Sequence, residues 1–333
     1  MPEPPDSDLI AQDVLGLTDL KSDEPFEMPA ASAAVGEAAI PALIGLAAPP
    51  ERSSTASRKW YQSLGWGFWV AVGVVVLWIL LAIFAGVLPL QSPYRIQATS
   101  CLLNPGLSSA HLLGCDTADR DILSRVIYGS RVSLVVGFAS IALSFVVGGP
   151  LGLLAGYFRG TFDRVLGVVA NVFLSFPSLV LGLAIVAYLG NSEWDIVLII
   201  AIVAWPLLFR VVRAATIEYS QREYVLAAQA LGSKRSRILW KILVPDIIPS
   251  TITYNLIGVA LAIVGEGALS YLGQSVPPPT PTWGNMIALG TSSMPNDVSL
   301  LISPAVAMFS FILAINFIGD RLRATLDVRE GVL

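Results

Sequence analysis

The sequence has 333 residues, of which 55% are hydrophobic and only 13% are charged, and its mean hydropathy is +0.71. A soluble domain typically carries about 25% charged residues, so this composition excludes a soluble enzyme and indicates a membrane protein. The formal net charge of −4 is unevenly distributed. Residues 1–51 contain ten acids and one Lys, a net charge of −9, whereas the rest of the chain has a net charge of +5.

The first 57 residues are rich in Ala, Pro, Ser, Asp and Glu and show no sustained apolar stripe. This composition predicts a disordered acidic tail over residues 1–57. A further membrane span at 28–48 is rejected, because Glu37 lies near its middle and Pro41 interrupts it. An acid at the centre of a span costs several kcal/mol, which Ala cannot offset. A cleaved signal peptide is also rejected, since the N-terminal region is acidic rather than basic.

Six later stretches are long and apolar enough to cross ~30 Å of hydrocarbon as helices, at ~1.5 Å per residue. All are expected to be helices, because the edge of an open sheet cannot be satisfied in lipid. The predicted fold is therefore an all-α membrane protein. Its six transmembrane helices are predicted at 64–88, 132–157, 165–189, 196–212, 249–272 and 299–319.

Lys and Arg are enriched in cytoplasmic loops, so their distribution predicts the orientation of the chain. If the N-terminus is inside, the inner segments carry most of the basic residues, and the later external loops at 190–195 and 273–298 carry none. The first external loop, 89–131, is an exception, with four Arg that three Asp partly offset. Both termini are therefore predicted to be cytoplasmic.

These spans divide the chain into a tail, a first helix with its external loop, a core of five helices and a cytoplasmic C-terminal tail. Within the core, the loop 213–248 between the fourth and fifth spans is the longest internal polar stretch. The four segments are predicted at 1–57, 58–131, 132–319 and 320–333.

The chain has two cysteines, Cys101 and Cys115, and both fall in the first external loop. An external compartment is oxidising, so the two thiols can form a disulfide there. Two free thiols in a loop remain the alternative. A metal site is a weaker alternative, because two thiols and the nearby His111 make a poor structural zinc set.

The sequence lacks the residues that several kinds of catalysis require. A Walker ATPase site needs Gly directly before its Lys, but the four lysines follow Leu, Arg, Ser and Trp. The single His111 lies in an external loop, so neither an intramembrane Ser–His pair nor a zincin motif is available. We expect no catalytic residue, no metal and no cofactor in this chain, and any ATP must be bound by another chain.

The loop 213–248 contains orderly signals for helix starts and stops. Ser220 followed by Glu223 fits a capping box, and Gly232 suits the left-handed position that ends a helix. Ser233 then predicts the start of a second, basic helix, which Pro245 and Pro249 should break before the fifth span. Ala227, Ala228 and Ala230 give the first helix a small, smooth surface that allows close approach of another protein.

Residues Tyr224–Pro245 resemble the coupling motif of ABC importer permeases, usually Glu-Ala-Ala, three residues, Gly, nine residues, Ile, any residue and Leu-Pro. Two positions depart from the motif, with Leu226 where Glu is common and Val244 where Leu is common. The matching positions are Ala227, Ala228, Gly232, Ile242 and Pro245.

Three further segments narrow the resemblance to the C-type subunit of dipeptide and oligopeptide permeases. Gly114–Arg125 is similar to that family's Gly-Thr-Asp and Gly-Arg-Asp stretch, with Cys115 and Asp119 departing from its Thr and Gly. Pro277–Asn285 and Asn316–Asp327 are also similar to segments of that subunit. The resemblance covers residues 60–330 and leaves out the acidic tail.

This resemblance implies a type I ABC importer permease for di- or oligopeptides, with nickel, glutathione or haem as alternative cargo. It implies a second homologous permease, two ATP-binding domains or one fused ATPase chain that bind ATP and Mg, and an extracytoplasmic substrate-binding lipoprotein. A nucleic-acid partner is not expected. The docked coupling helix would contact the ATPase through Ala227, Ala228 and Gly232, with Glu223 as a helix cap or ion-pair partner.

Two polar residues, Asn255 and Glu266, fall inside the fifth span. A charged side chain there must face protein or water, so both are candidates for the pathway or for contacts between subunits. The segment 114–131 is expected to be an amphipathic helix on the outer face or a solvated loop. A secondary transporter without ATPase partners is the main alternative function, but the inverted repeats typical of that class are not visible.

Overall fold

The computed structural model describes residues 65–96, 111–293 and 298–330, with side chains described up to residue 325. Within these ranges the regular structure is helical, apart from one isolated β-bridge between Cys115 and Asp121. The predicted tail and Cys101 lie outside the described residues.

Ten α-helices follow one another along the described chain, and a short π-helix, Leu239–Leu243, joins the seventh to the eighth. They are α1 Gly65–Phe84, α2 Ile122–Phe158, α3 Gly160–Ser175, α4 Ser178–Leu189, α5 Glu193–Tyr219, α6 Glu223–Ala230, α7 Arg235–Ile238, α8 Val244–Tyr271, α9 Trp283–Ser293 and α10 Ser299–Glu330.

The predicted all-α membrane fold is confirmed. Five helical segments are long and apolar enough to span a membrane by themselves, namely α1, α2, α5, α10 and the continuous run from α7 through α8. The pair α3 and α4 passes the same test together, but the two helices meet at an angle of 91°. The described chain therefore contains five spans, or six if the bent pair counts as one.

The third predicted span, 165–189, is wrong as a single straight helix. It divides at Phe176 and Pro177, where α3 ends and α4 begins. A residue before proline is pushed out of the helical region, and Phe176 accordingly adopts an extended conformation with φ −84° and ψ 138°. Proline also has no N–H to continue the hydrogen-bond ladder of the preceding helix.

The second span begins at Ile122, ten residues before the predicted start at 132. Asp121 caps it by accepting a hydrogen bond of 2.7 Å from the backbone N–H of Ser124. The predicted outer-face helix over 114–131 is therefore wrong, because residues 122–131 form the first turns of α2. Four of its charged residues, Asp116, Arg120, Asp121 and Arg125, are buried, and Arg125 is paired with Asp116.

The other span limits differ mainly by extension into the flanking polar residues. The fourth span, predicted at 196–212, runs from Glu193 to Tyr219. Ser192 and Asp195 form a capping box at its start, and Arg213 forms an ion pair with Asp163 of α3. The last span continues well beyond residue 319. The helix α9 was not predicted at all, because Trp283–Ser293 is only moderately apolar and short.

The largest core cluster packs α1, α2, α8, α9 and α10 around Trp283. This indole is fully buried, donates a hydrogen bond of 3.1 Å to the carbonyl of Val126, and makes an edge contact with Trp78 at 5.1 Å. Phe311 lies on its other side, with ring centroids 6.1 Å apart. α9 therefore serves as a wedge that packs between these spans.

Helices α2 and α5 pack at backbone distance through three glycines at four-residue spacing, Gly148, Gly152 and Gly156. A Cβ built on Gly152 would lie 2.6 Å from the carbonyl oxygen of Phe209, closer than real Cβ contacts allow. Small residues at this spacing are the usual means of close helix packing in membranes. This contact fixes the helix from which the loop to α6 departs.

Candidate coupling site

The loop between α5 and α8 contains the helix α6, and a tight turn leads into it. The N–H of Arg222 donates to the carbonyl of Tyr219 at 3.2 Å, and Arg222 is the N-cap residue of α6. The predicted capping box at Ser220 and Glu223 is wrong. Ser220 is instead the C-cap residue of α5 and keeps helical backbone angles. Its hydroxyl donates a hydrogen bond to the carbonyl of Ile217.

The exit from α6 has the geometry of a Schellman motif. Gly232 has φ +76°, its N–H donates to the carbonyl of Gln229 at 2.9 Å, and the N–H of Ser233 donates to the carbonyl of Ala228 at 3.0 Å. This left-handed position favours Gly, because a Cβ there meets its own backbone. The predicted helix end at Gly232 is confirmed.

The helix α6 is anchored on one side only. Val225 is fully buried in a cluster with Tyr219, Ile238 and Leu243, which lie at the ends of the adjoining helices. On the other side, Leu226 and Leu231 are exposed, and Leu231 exposes 86% of its surface. The exposed side of α6 is therefore apolar at both of these positions.

The predicted contact residues fall mainly on this exposed side. Ala227 and Gly232 are exposed, while Ala228 is half-buried. Glu223 is exposed and is the first residue of α6, where its charge favours the positive end of the helix dipole. The sequence analysis did not identify Leu231 as a contact residue. Its position directly before Gly232, which ends the helix, could have indicated it.

Tyr224 links α6 to the start of α8. Its phenol donates a hydrogen bond of 2.7 Å to Oδ2 of Asp246. Burial, together with this bond, raises the pKa of Tyr224 above its ordinary value, so the phenol keeps its proton at physiological pH. On the α5 side, the guanidinium of Arg222 lies 4.3 Å from the centre of the Tyr219 ring. Polar and cation–π contacts thus tie α6 to both neighbouring spans.

The second helix of the loop does not stop before the fifth span, so the predicted break at Pro245 and Pro249 is wrong. α7 passes through the π-helix Leu239–Leu243 directly into α8. Pro245 directly follows the π-helix, where the hydrogen-bond ladder already departs from α-helical spacing, since the N–H of Val244 donates to the carbonyl of Leu239. The loop is therefore joined to α8 through continuous helix.

A cavity of about 1010 Å³ lies beside this loop, between α5, α8 and α10. Its lining is both charged and aromatic, and includes Arg210, Glu218, Asp246, Tyr254 and Arg323. Arg210 also donates a hydrogen bond of 2.6 Å to Oδ1 of Asn171 on α3. Through this hydrogen bond, Arg210 links the lining of the cavity to α3.

Glu266 lies inside α8 and is fully buried. Its Oε1 accepts three hydroxyl hydrogen bonds, from Ser270 at 2.8 Å, Thr282 at 2.9 Å and Ser275 at 3.0 Å. Two of these hydroxyls belong to the connection between α8 and α9. Glu266 thus fixes the segment that positions the Trp283 wedge.

Asn255, the other polar residue of this span, is half-buried. Its Oδ1 has no hydrogen-bond partner among the described residues. A role for Asn255 or Glu266 in the pathway or between subunits stays a prediction, as does a bridge from Cys115 to Cys101, which lies outside the described residues.

Arg125, near the start of α2, joins three other segments of the chain. It is buried, its Nε lies 3.2 Å from Asp116, and one of its terminal nitrogens donates to the carbonyls of Pro93 and Pro279. Arg125 and Asp116 are both buried, so their ion pair is a fixed contact inside the protein and not a solvated pair of surface charges. Arg120 completes the set with a bond of 2.8 Å to Asp116.

A protein-family model described as a binding-protein-dependent transport system inner membrane component matches residues 148–331. The chain belongs to this family. The permease is thus a multi-pass inner-membrane protein, and like its family it is a membrane component of a transporter rather than the catalytic part.

The permease is similar to curated permeases over most of its length. It is 34% identical over 284 residues to the dipeptide transport system permease protein DppC of Alkalihalophilus pseudofirmus, which covers 84% of this chain and 93% of the relative. It is 36% identical over 225 residues to the glutathione transport system permease protein GsiD of Pectobacterium atrosepticum, which covers 68% and 75%.

A solved structure supports the fold. A chain of the MetNI methionine ABC transporter, in an inward-facing conformation, matches the permease with a TM-score of 0.54 at 20% sequence identity. The match covers 61% of this chain and 97% of the other. The permease therefore has the type I ABC permease fold that the resemblance implied.

Proposed function

We propose that the permease forms half of the translocation pathway of an ATP-driven peptide importer, and that α6 docks onto an ATPase on the cytoplasmic side. The main support is the asymmetry of α6. Val225 anchors one side, whereas Leu226, Ala227 and Leu231 expose small or apolar surface on the other. A short helix that is tethered to two spans and apolar outward is suited to receive force from a partner.

The names of the relatives support a peptide as cargo. They include permeases for dipeptides and for glutathione, which is itself a tripeptide. The chain covers most of the length of these relatives, so the likeness is not limited to a shared fragment. Di- or oligopeptides are therefore the proposed substrate class.

The proposed assembly contains several other chains. A second homologous permease would complete the pathway, two ATP-binding domains or one fused ATPase chain would bind ATP and Mg, and an extracytoplasmic lipoprotein would deliver substrate. The permease itself would hold no cofactor and hydrolyse nothing. Both of its termini would lie in the cytoplasm, as the Lys and Arg distribution predicts.

The proposed mechanism depends on differential binding. ATP binds the closed ATPase pair better than the open pair, so it shifts the population toward closure. A docked α6 moves with the ATPase, and the Tyr224–Asp246 bond and the continuous α7–α8 helix carry this movement into the fifth span. Transport and hydrolysis are then coupled through two distinct sites.

The docking surface can be tested by purifying the permease in mild detergent from its own membrane. We expect a second permease and nucleotide-hydrolysing chains to copurify with the unmodified permease, which is the parent for the variants below. Leu231→Asp should remove most of the bound ATPase, because docking would bury a carboxylate without a partner. Leu231 is so exposed that this change should not affect folding.

A matched control is Leu112→Asp, which introduces the same charge at an exposed leucine before α2, far along the chain from α6. It should retain the ATPase at the parental level. The proposed function would be contradicted if the Leu231→Asp variant retained as much ATPase as the parent. It would also be contradicted if the purified permease transported peptide without any other chain.

A further inference from the structure

The cavity beside α6 has two ends that differ in charge. The end next to α6 carries equal numbers of acidic and basic side chains, namely Glu218, Arg222, Lys241 and Asp246. Glu218 lies 3.7 Å from Arg222, and Asp246 accepts the hydrogen bond from Tyr224. The charges at this end therefore largely compensate one another within the chain.

The other end of the cavity is cationic. Arg210 precedes Glu218 by eight residues on α5, which is ~12 Å of helix. Tyr254 follows Asp246 by the same interval on α8, and it therefore lies equally far from the α6 end. Arg323 of α10 joins them, with its guanidinium 5.3 Å from the centre of the Tyr254 ring. The two acids of the lining both belong to the α6 end, so no carboxylate lines the cationic end.

The cationic end has the chemistry of an anion site. Arg210 donates a hydrogen bond to the amide oxygen of Asn171, and it has no acidic partner among the described residues. Cations that line a concave surface without acids attract an anion. The planar guanidinium group of Arg matches a carboxylate, because it can donate two parallel hydrogen bonds to the two oxygens. A carboxylate is therefore a suitable ligand for this end.

The hydroxyl of Thr253 is an independent sign of a ligand at this end. Thr253 lines the cavity and is only 2% exposed, and its Oγ1 has no hydrogen-bond partner among the described residues. Buried polar groups are nearly always paired, because an unpaired one costs free energy. The preceding hydroxyls of α8 follow this rule, since Ser250 and Thr251 both donate to the carbonyl of Ile247. Thr253 therefore has a hydroxyl available to a ligand that accepts a hydrogen bond.

The dimensions of the cavity fit a short peptide. Its volume of about 1010 Å³ is at the upper end of the range of pockets that hold small ligands. An extended tripeptide spans ~10 Å, which is less than the ~12 Å of helix that separates the two ends. Every linear peptide with a free C-terminus carries one terminal carboxylate, whatever its side chains. A cationic end can therefore recognise peptides of different sequence.

We propose that the cationic end of this cavity, formed by Arg210, Thr253, Tyr254 and Arg323, binds the C-terminal carboxylate of a peptide in transit. The inference rests on the proposed function, because it takes a peptide as the cargo and the α6 side as the cytoplasmic side. The two guanidinium groups and the Thr253 hydroxyl donate to the carboxylate oxygens, and the balanced end next to α6 holds the rest of the peptide. Both arginines are exposed, so they bind the carboxylate weakly enough to release it.

The inference can be tested by equilibrium binding of a labelled peptide to the complete transporter, purified without its binding protein. The probes are trialanine with a free carboxylate and trialanine with a C-terminal amide. Arg323→Gln removes a charge from the cavity, and Arg321→Gln is the matched control. Arg321 is exposed on the same helix and lies 5.3 Å from the ring centre of Phe317, but it does not line the cavity.

We expect the parent and the Arg321 variant to bind the free acid at least about tenfold more tightly than the amide, and the Arg323 variant to lose most of this preference. Thr253→Val keeps the shape of the side chain and should weaken binding of the acid by about threefold. Its melting temperature should not fall, because the hydroxyl has no internal partner to lose. Equal binding of acid and amide by the parent, or an Arg323 variant that keeps the full preference, would overturn the inference.

The phosphate headgroup of an anionic lipid offers the same anionic chemistry, so bound phosphatidylglycerol is measured in the same samples. If Arg323→Gln lost this lipid while its peptide binding stayed at the parental level, the site would belong to lipid and the inference would be overturned. Peptide uptake by the parent in proteoliposomes tests the proposed function separately. A parent that imports peptide but binds the acid and the amide equally would contradict only the carboxylate site.

Discussion

Glycines at positions 148, 152 and 156 determine how closely α2 and α5 approach. At each of them a Cβ would come within 2.6 to 2.8 Å of an atom on α5. The spacing was visible in the sequence, but spacing alone does not say which helix lies opposite. The structure supplies that partner, because the contacts of all three glycines fall on residues 205–216.

Replacing Gly152 by Ala should destabilise the permease by about 1–3 kcal/mol, because the added methyl group meets backbone that has to shift. Thermal unfolding in detergent, followed by size-exclusion chromatography, measures the effect. The matched control is Gly167→Ala on α3, where nothing lies within 4 Å of the added Cβ. That change should be neutral or stabilise by about 0.5–1 kcal/mol. Equal melting of the two variants would contradict this packing.

Glu266 illustrates what a residue type predicts and what it does not. A carboxyl group in a span predicts a buried polar contact, and the three hydroxyl partners agree with this prediction. The partners were not predictable, because Ser275 and Thr282 approach only after the chain reverses between α8 and α9.

Glu266→Ala should destabilise the permease by about 1–3 kcal/mol, because it leaves buried hydroxyls without their acceptor. Glu266→Gln keeps one carbonyl oxygen in the same place and should lose less. The melting temperatures of both variants measure this difference. Two variants with the same loss would show that the accepting oxygen is not what fixes the segment.

At the scale of elements, local signals predicted α6 better than its surroundings. The Ala-rich stretch and Gly232 predicted the helix and its end, because both depend on nearby backbone. The start was predicted wrongly because Ser220 remains part of α5. The helix breaks at Pro177 but continues through Pro245, which directly follows the π-helix. The effect of a proline therefore depends on the helical geometry that precedes it.

The bond between Tyr224 and Asp246 should transmit movement from α6 to α8. Tyr224→Phe removes only the hydroxyl, so assembly should be retained while the amount of peptide imported per ATP hydrolysed falls by about fivefold. Asp246→Asn keeps an accepting oxygen and should stay near the parental ratio, whereas Asp246→Ala should resemble the Phe variant. The measurement is import and hydrolysis in the same proteoliposomes.

A matched control for this pair is Tyr271→Phe, which removes a hydroxyl from an exposed tyrosine at the far end of α8. It should leave the ratio unchanged. If Tyr224→Phe imports as much peptide per ATP as the parent, the bond is structural and does not carry the coupling.

At the scale of the whole molecule, composition predicted the membrane class and motif order predicted the family. Apolar length identified the spans, since lipid imposes that length on any helix that crosses it. The bent pair and the wedge α9 were not predictable in the same way, because each depends on contacts between distant segments, such as Phe173 with Trp205 and Trp283 with Val126. The proposed coupling role of α6 joins these scales, since one short helix would have to move several spans.

That role is tested most directly by the import-to-hydrolysis ratio of two Gly232 variants in proteoliposomes with the complete transporter. Gly232→Asn tolerates the left-handed backbone, and Gly232→Val does not. Neither added side chain meets a neighbour at the Cβ, so assembly should be retained in both. We expect the Asn variant to import near the parental ratio and the Val variant to hydrolyse ATP with little import. A Val variant that imports at the parental ratio would contradict the assignment of α6 as the coupling helix.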